Sequence, residues 1–243
     1  MKNLSPKVGL TVTTHRSSRL RPNGVQLLEN FFQSFRQSSF SYEYCFYVAD
    51  NASEIDFDFP QDLNIKVIKI KDQSIKGLTG AWNESLHAAY LDGCDILWNF
   101  NDDIELNLTA SKFIDGIINH PEKDLVYFGP LSDNGGGYSP NTAIGPGSGY
   151  TQLNIRPNSW DNLPNGFSFG FTRSFYEKYR HQENEFFPIN HKLNGGDGKW
   201  GGQEGYVSIL AEQGCKAILI NECWLRHIKL KTYAAARDFY KNK

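Results

Sequence analysis

The chain has 243 residues, 40% of them hydrophobic and 21% charged, which suits one large globular domain or two small ones. Twenty-five Lys and Arg against 27 Asp and Glu leave a formal charge of −2, too little positive charge for a nucleic-acid-binding surface. No apolar run approaches the roughly 18 residues of a membrane span, and the first residues lack the apolar stretch of a secretion signal, so a cytoplasmic location is expected.

The chain opens with an apolar run, Val8–Thr14, that reads as a strand. Val25, Leu27, Leu28, Phe31, Phe32 and Phe35 recur at helical spacing, which predicts an amphipathic helix over 24–36. Strands are expected over 44–49 and Ile65–Ile70, then a helix over 79–91 with Thr79 as its N-cap. A strand over 95–100, a helix near 109–118 and a strand over 125–128 follow. Residues 130–166 carry Gly, Asn and Ser with little periodicity and read as a long functional loop. Beyond it come a strand over 167–171 and a helix over Arg173–Tyr179. After a second Gly-rich loop over 190–202, a helix over 204–212 and a strand over 216–220 end the pattern.

Alternating strands and helices predict an α/β fold with a mostly parallel sheet, helices on both faces and a single domain. Ligands bind such a sheet beyond the carboxyl ends of its strands. Three polar clusters fall there: Thr13-Thr14-His15-Arg16, Asp50-Asn51 and Asn101-Asp102-Asp103. The four cysteines, Cys45, Cys94, Cys215 and Cys223, form no C-x-x-C pair, which argues against zinc and for buried, reduced thiols. Trp82 and Trp98 read as core, whereas Tyr138, Trp160 and Trp200 sit in Gly-rich loops, where an aromatic face stacks on a sugar or anchors the loop.

The stretch "DILWNFNDDIELN", residues 95–107, sets two adjacent acids at the mouth of an apolar strand. Adjacent carboxylates repel, and burial makes that costly unless something neutralises them. A turn in water is one answer. A bound Mn²⁺ or Mg²⁺ is the other, because Asp and Asn oxygens are hard ligands.

Six segments occur in an order that resembles the inverting, family-2 glycosyltransferases of GT-A fold: "VGLTVTTHR" (8–16), "FYVADNASE" (46–54), "KGLTGAWNESLHAA" (76–89), "FNDDI" (100–104), "GFSFGFTRSFYEK" (166–178) and "WGGQEGY" (200–206). The likeness runs over about residues 8–230, with a nucleotide-binding half (8–107) and an acceptor-binding half (108–243). It implies transfer of a sugar from a UDP-, dTDP- or GDP-sugar to a saccharide or glycan hydroxyl, assisted by Mn²⁺ or Mg²⁺.

By the same resemblance Asp50 accepts a hydrogen bond from the base, and Thr13, His15 and Arg16 line base and phosphates. Lys76 and Asn83 lie beside the nucleotide. Asp103 is the metal ligand of the DXD motif, Asp102 its ribose-facing middle residue, and Asn101 replaces the usual first Asp. His227 supplies a further metal ligand or phosphate contact, with Arg226, Lys229 and Lys231 near the diphosphate. Glu204 stands where these enzymes carry the catalytic base, and Gln203 replaces the acid before it. Two other readings fit the same residues: a nucleotidyltransferase, disfavoured because the loop after the first strand holds only Gly24, and a non-catalytic carbohydrate-binding protein on a degenerate transferase fold.

Overall fold

The computed structural model describes residues 5–133, 140–157, 162–189 and 203–228. In chain order the elements are β1 (Val8–Thr14), α1 (Gly24–Gln37), β2 (Tyr44–Asn51), β3 (Ile65–Ile70), α2 (Gln73–Leu91), β4 (Ile96–Asn101), β5 (Ile104–Glu105) and α3 (Ala110–Asn119). Then come β6 (Val126–Ser132), α4 (Pro140–Ala143), β7 (Tyr150–Leu153), β8 (Ser168–Thr172), α5 (Arg173–Tyr179), α6 (Gln203–Leu210) and β9 (Lys216–His227).

All the strands join one sheet, ordered β3-β2-β1-β4-β8-β6-β9-β5, with β7 also on β9. The first four strands are parallel, as the sequence predicts. Beyond β4 the sheet becomes mixed: β8 runs antiparallel between β4 and β6, and β5 and β7 pair antiparallel with β9, while β6 and β9 are parallel. That change of direction gives no local signal, because a buried strand reads as an apolar run whichever way its neighbour points.

The sheet is covered on both faces. Side chains of β1 alternate, so Val8, Leu10 and Val12 face Leu28, Phe31, Phe32 and Phe35 of α1 and Phe113, Ile114 and Ile117 of α3. The opposite face packs Tyr47, Leu97 and Phe169 against Trp82, Leu86 and Ala89 of α2. Gly9 is required here, since a Cβ on it would stand 2.7 Å from the Ala89 Cβ. Trp98 stacks on Phe113 at 4.3 Å and both Trp82 and Trp98 are buried, as expected. Each large apolar side chain so buried contributes about 1.5–3 kcal/mol.

Three boundaries depart from the sequence reading. Helix α2 begins at Gln73 and is kinked at Gly77 (φ 59, ψ −151), so the helix expected from Thr79 is the part beyond the kink. The loop predicted over 130–166 contains α4 and β7, which are too short for periodicity to register. Strand β9 runs on to His227 instead of ending near 220, and β6 shifts register against it between Pro130 and Leu131. All four cysteines are free and buried. Among the described residues no helix is long and apolar enough to cross a membrane.

Candidate functional site

After β1 the chain crosses to β2 and β3 on one side and returns as β4 on the other. The crevice at that switch point is the usual ligand position in an open α/β sheet. Register brings the three polar clusters together there: Thr14 lies opposite Asp50, and Thr13 lies opposite Asn101.

Arg16 is wholly buried behind this edge. Its Nη2 reaches Asp50 Oδ2 at 3.0 Å, its Nε donates to the Ile55 carbonyl, and its guanidinium lies 5.6 Å from the Phe57 ring. Lys69 Nζ meets the same carboxylate oxygen at 2.6 Å. Burial pushes the Asp50 carboxyl upward, but the hydrogen bonds from Lys69 and Ser53 and the charge of Arg16 outweigh it and hold the group below its ordinary range. Asp50 is therefore a fixed anion. His15 donates from Nδ1 to the Asn51 carbonyl at 3.0 Å, and burial lowers its pKa, so its ring is neutral at pH 7. Gly24, the first residue of α1, allows this backbone to pass: a Cβ there would stand 2.6 Å from the His15 carbonyl oxygen.

The two adjacent acids divide. Asp102 is buried and forms a bidentate pair with Arg21, at 2.7 Å from Nη1 and 2.5 Å from Nη2. Arg21 Nη1 also donates to the His15 carbonyl at 3.2 Å, tying the loop after β1 to the turn after β4. Asp103 meets His227 instead, with Oδ2 3.5 Å from Nε2. That meeting depends on β5, because Ile104 pairs with His227 and the Ile228 amide donates to the Asp103 carbonyl. The His227 ring stacks on Phe167 at 4.7 Å, and its backbone N–H donates to Asp133 Oδ1 at 3.0 Å.

Around the turn after β4 three buried oxygens, Thr13 Oγ1, Asn101 Oδ1 and Asp103 Oδ1, have no hydrogen-bond partner among the described residues. Leaving a buried polar atom unsatisfied costs about 1–3 kcal/mol, so three at one strand edge mark a place built to meet something else. Hard oxygens and an imidazole are the donor set of Mn²⁺ or Mg²⁺. Among the described residues no group of three or more His, Cys, Asp or Glu side chains is gathered to hold a metal ion. Asp103 and His227 are two groups of that donor type, set side by side at this edge.

Other predicted residues lie apart from this edge or outside the described side chains. Asn83, on α2, spends its side chain on backbone: Nδ2 donates to the Phe187 carbonyl at 2.8 Å, and Oδ1 accepts from the Phe186 and Phe187 amides. Arg226 is paired with Glu105 at 3.1 Å. Lys76 belongs to α2 and Gln203 and Glu204 open α6, but their side chains lie outside the described residues, as do Tyr138, Trp160, Trp200, the 190–202 loop, Lys229 and Lys231. Sequence reasoning missed Arg21 and Asp133. Arg21 sits in a basic stretch with Arg16 and Arg19, and nothing in that spacing says which one meets an acid. A cleft of about 490 Å³ between α1 and residues 56–60 involves none of the three clusters.

The architecture recurs in solved proteins. S. aureus TarS 1–349 matches with a TM-score of 0.58 at 14% identity, over 91% of this chain and 60% of that one. Its complex with UDP-GlcNAc matches at 0.57 and 15%, over 97% and 64%. GalNAc-T7 with UDP, GalNAc and Mn²⁺ matches at 0.57 and 12%, over 94% and 44%. The chain has the GT-A glycosyltransferase fold. At these identities the likeness is one of fold, and this GT-A chain spans less than two thirds of the length of each of those structures. No protein-family model and no curated protein matches the sequence.

Proposed function

We propose that the protein is an inverting glycosyltransferase that moves a sugar from a nucleotide-diphosphate donor to a hydroxyl of a saccharide or glycan. The observation that carries this reading is the group of unsatisfied oxygens on Thr13, Asn101 and Asp103, set beside His227 at the switch point. The TarS complex with UDP-GlcNAc and the GalNAc-T7 complex with UDP and Mn²⁺ make UDP the first base to try, ahead of dTDP and GDP.

Asp50, held ionised by Arg16 and Lys69, accepts the ring N–H of the base. Thr13 and His15 line the nucleotide, and Lys76 meets it. Arg16 acts through Asp50, since its guanidinium is committed to Asp50 and Ile55. Asp102 has both oxygens on Arg21, so any ribose contact it makes is shared with that guanidinium. Asp103 and His227 would hold Mn²⁺ or Mg²⁺, which would supply Lewis-acid stabilisation of the departing diphosphate. Glu204 takes the proton of the acceptor hydroxyl as it attacks the anomeric carbon from the face opposite the diphosphate, a direct displacement that inverts the centre.

A thermal-shift panel of UDP, dTDP and GDP, each with Mn²⁺, Mg²⁺ or EDTA, tests the donor side. Ligand at 100 times its Kd adds about 2.7 kcal/mol, which at this size is roughly 5–10 °C. A metal-dependent rise with one nucleotide, lost in Asp103→Ala, is expected, and no rise with any pair overturns the reading. Glu204→Gln is expected to keep that rise and lose about 10²–10⁴-fold in kcat. Nucleotide binding without donor turnover in the unmodified protein would make it a binding protein on a transferase fold.

A further inference from the structure

The turn Asn101-Asp102-Asp103 carries two carboxylates, but one of them is cancelled. Asp102 and Arg21 are both at least nine-tenths buried, and their two parallel hydrogen bonds, at 2.7 and 2.5 Å, form a closed fork. Asp50 is likewise balanced, by Arg16 and Lys69. Of the acids in the three clusters, Asp103 alone has neither Lys nor Arg on it among the described residues; its neighbour is His227. Of these three acids a divalent cation beside His227 therefore meets one uncompensated carboxylate, while Asp133 is engaged by the His227 amide, and cation affinity in oxygen sites follows the number of charged ligands.

We infer that Arg21 sets the charge of the metal site: by cancelling Asp102 it leaves a site too weakly negative to hold a divalent cation alone, so that the cation enters together with the nucleotide diphosphate. This inference rests on the donor-site reading above. Arg21 is a positioning residue in this scheme. It touches neither metal nor donor, and acts through the Asp102 carboxylate and the His15 carbonyl.

The scheme predicts effects of opposite sign from the two halves of one ion pair. Arg21→Gln keeps hydrogen bonding to Asp102 but frees its negative charge beside Asp103. Asp102→Asn keeps one of the two hydrogen bonds, through its Oδ1, and frees a positive charge instead. Free Mn²⁺ is followed by electron paramagnetic resonance as it is titrated into the protein without nucleotide, and again with UDP. Without nucleotide, Arg21→Gln should bind Mn²⁺ about tenfold more tightly than the unmodified protein, and Asp102→Asn about tenfold more weakly. Arg21→Lys keeps the charge and should match the unmodified protein. The double variant Arg21→Gln/Asp102→Asn, an amide facing an amide, should return to the unmodified affinity. If Arg21→Gln fails to fold by circular dichroism, the double variant and Asp102→Asn decide.

Weakening in every variant, the double one included, would mean that the pair only holds the turn together, and it overturns the inference. Equal Mn²⁺ affinity in all of them overturns it too. Tight Mn²⁺ binding by the unmodified protein without UDP overturns the claim of joint entry. A protein that takes neither Mn²⁺ nor UDP fails the donor-site reading itself. A protein that takes them together, with variants that do not move in opposite directions, fails the inference alone.

Discussion

Burial on its own would raise the Asp50 carboxyl, yet Lys69, Ser53 and Arg16 hold it low. Because the folded pKa lies below the unfolded value of about 3.9, Asp50 contributes stability that is complete above that value. The contribution is lost as pH falls through the folded pKa. Asp50→Asn removes the anion from two cations, one of them fully buried. Breaking a buried pair in this way costs about 3–5 kcal/mol. Urea denaturation from pH 7 to pH 2 should show the variant well below the unmodified protein at neutral pH, with the gap closing in acid. A constant gap across that range would mean that the Asp50 charge is not what the fold uses. The three cluster positions were legible from residue types at strand ends. The partner of each acid was not, since Arg16, Arg19 and Arg21 are equivalent in sequence and differ only in where the loop after β1 points them.

Among the elements, α2 shows most clearly how one side chain takes different meanings at different levels. In sequence Asn83 lies in a stretch that resembles a nucleotide-proximal helix start. In the fold it fastens Phe186 and Phe187 to α2 through three backbone hydrogen bonds. Asn83→Ala leaves two buried amides and a carbonyl unsatisfied, at about 1–3 kcal/mol for each group. A clear fall in Tm with unchanged nucleotide affinity is expected. A variant that keeps its Tm and loses nucleotide affinity would return Asn83 to the donor site. Strand β9 makes the complementary point. Its apolar start was legible at 216–220, but its last residues alternate with charge, and pairing with β5 is what joins them to the sheet. The long loop hid α4 and β7 for a different reason, since an element of four residues is shorter than the window that periodicity needs.

Over the whole molecule, a sheet covered on both faces removes all four thiols from water. Burial raises their pKa values, that of Cys215 to about 12 and that of Cys223 further still. Thiolate is the reactive form, so the native protein should react with a disulfide reagent at pH 8 far more slowly than the unfolded chain. Rapid titration of any thiol in the folded protein would show that part of the covering is open.

The sequence by itself determined where most strands and helices fall and which face each side chain takes, because strand and helix periods are local properties. It also set Asn101, Asp102 and Asp103 at the mouth of β4. Tertiary structure decided what those three residues mean. The loop after β1 brings Arg21 to Asp102, and the pairing of β5 with β9 brings His227 from the far end of the chain to Asp103. Neither partner is within reach of a local rule. The state of a buried charge depends on what lies a few ångströms away in space, and that distance is fixed only when the whole sheet is assembled.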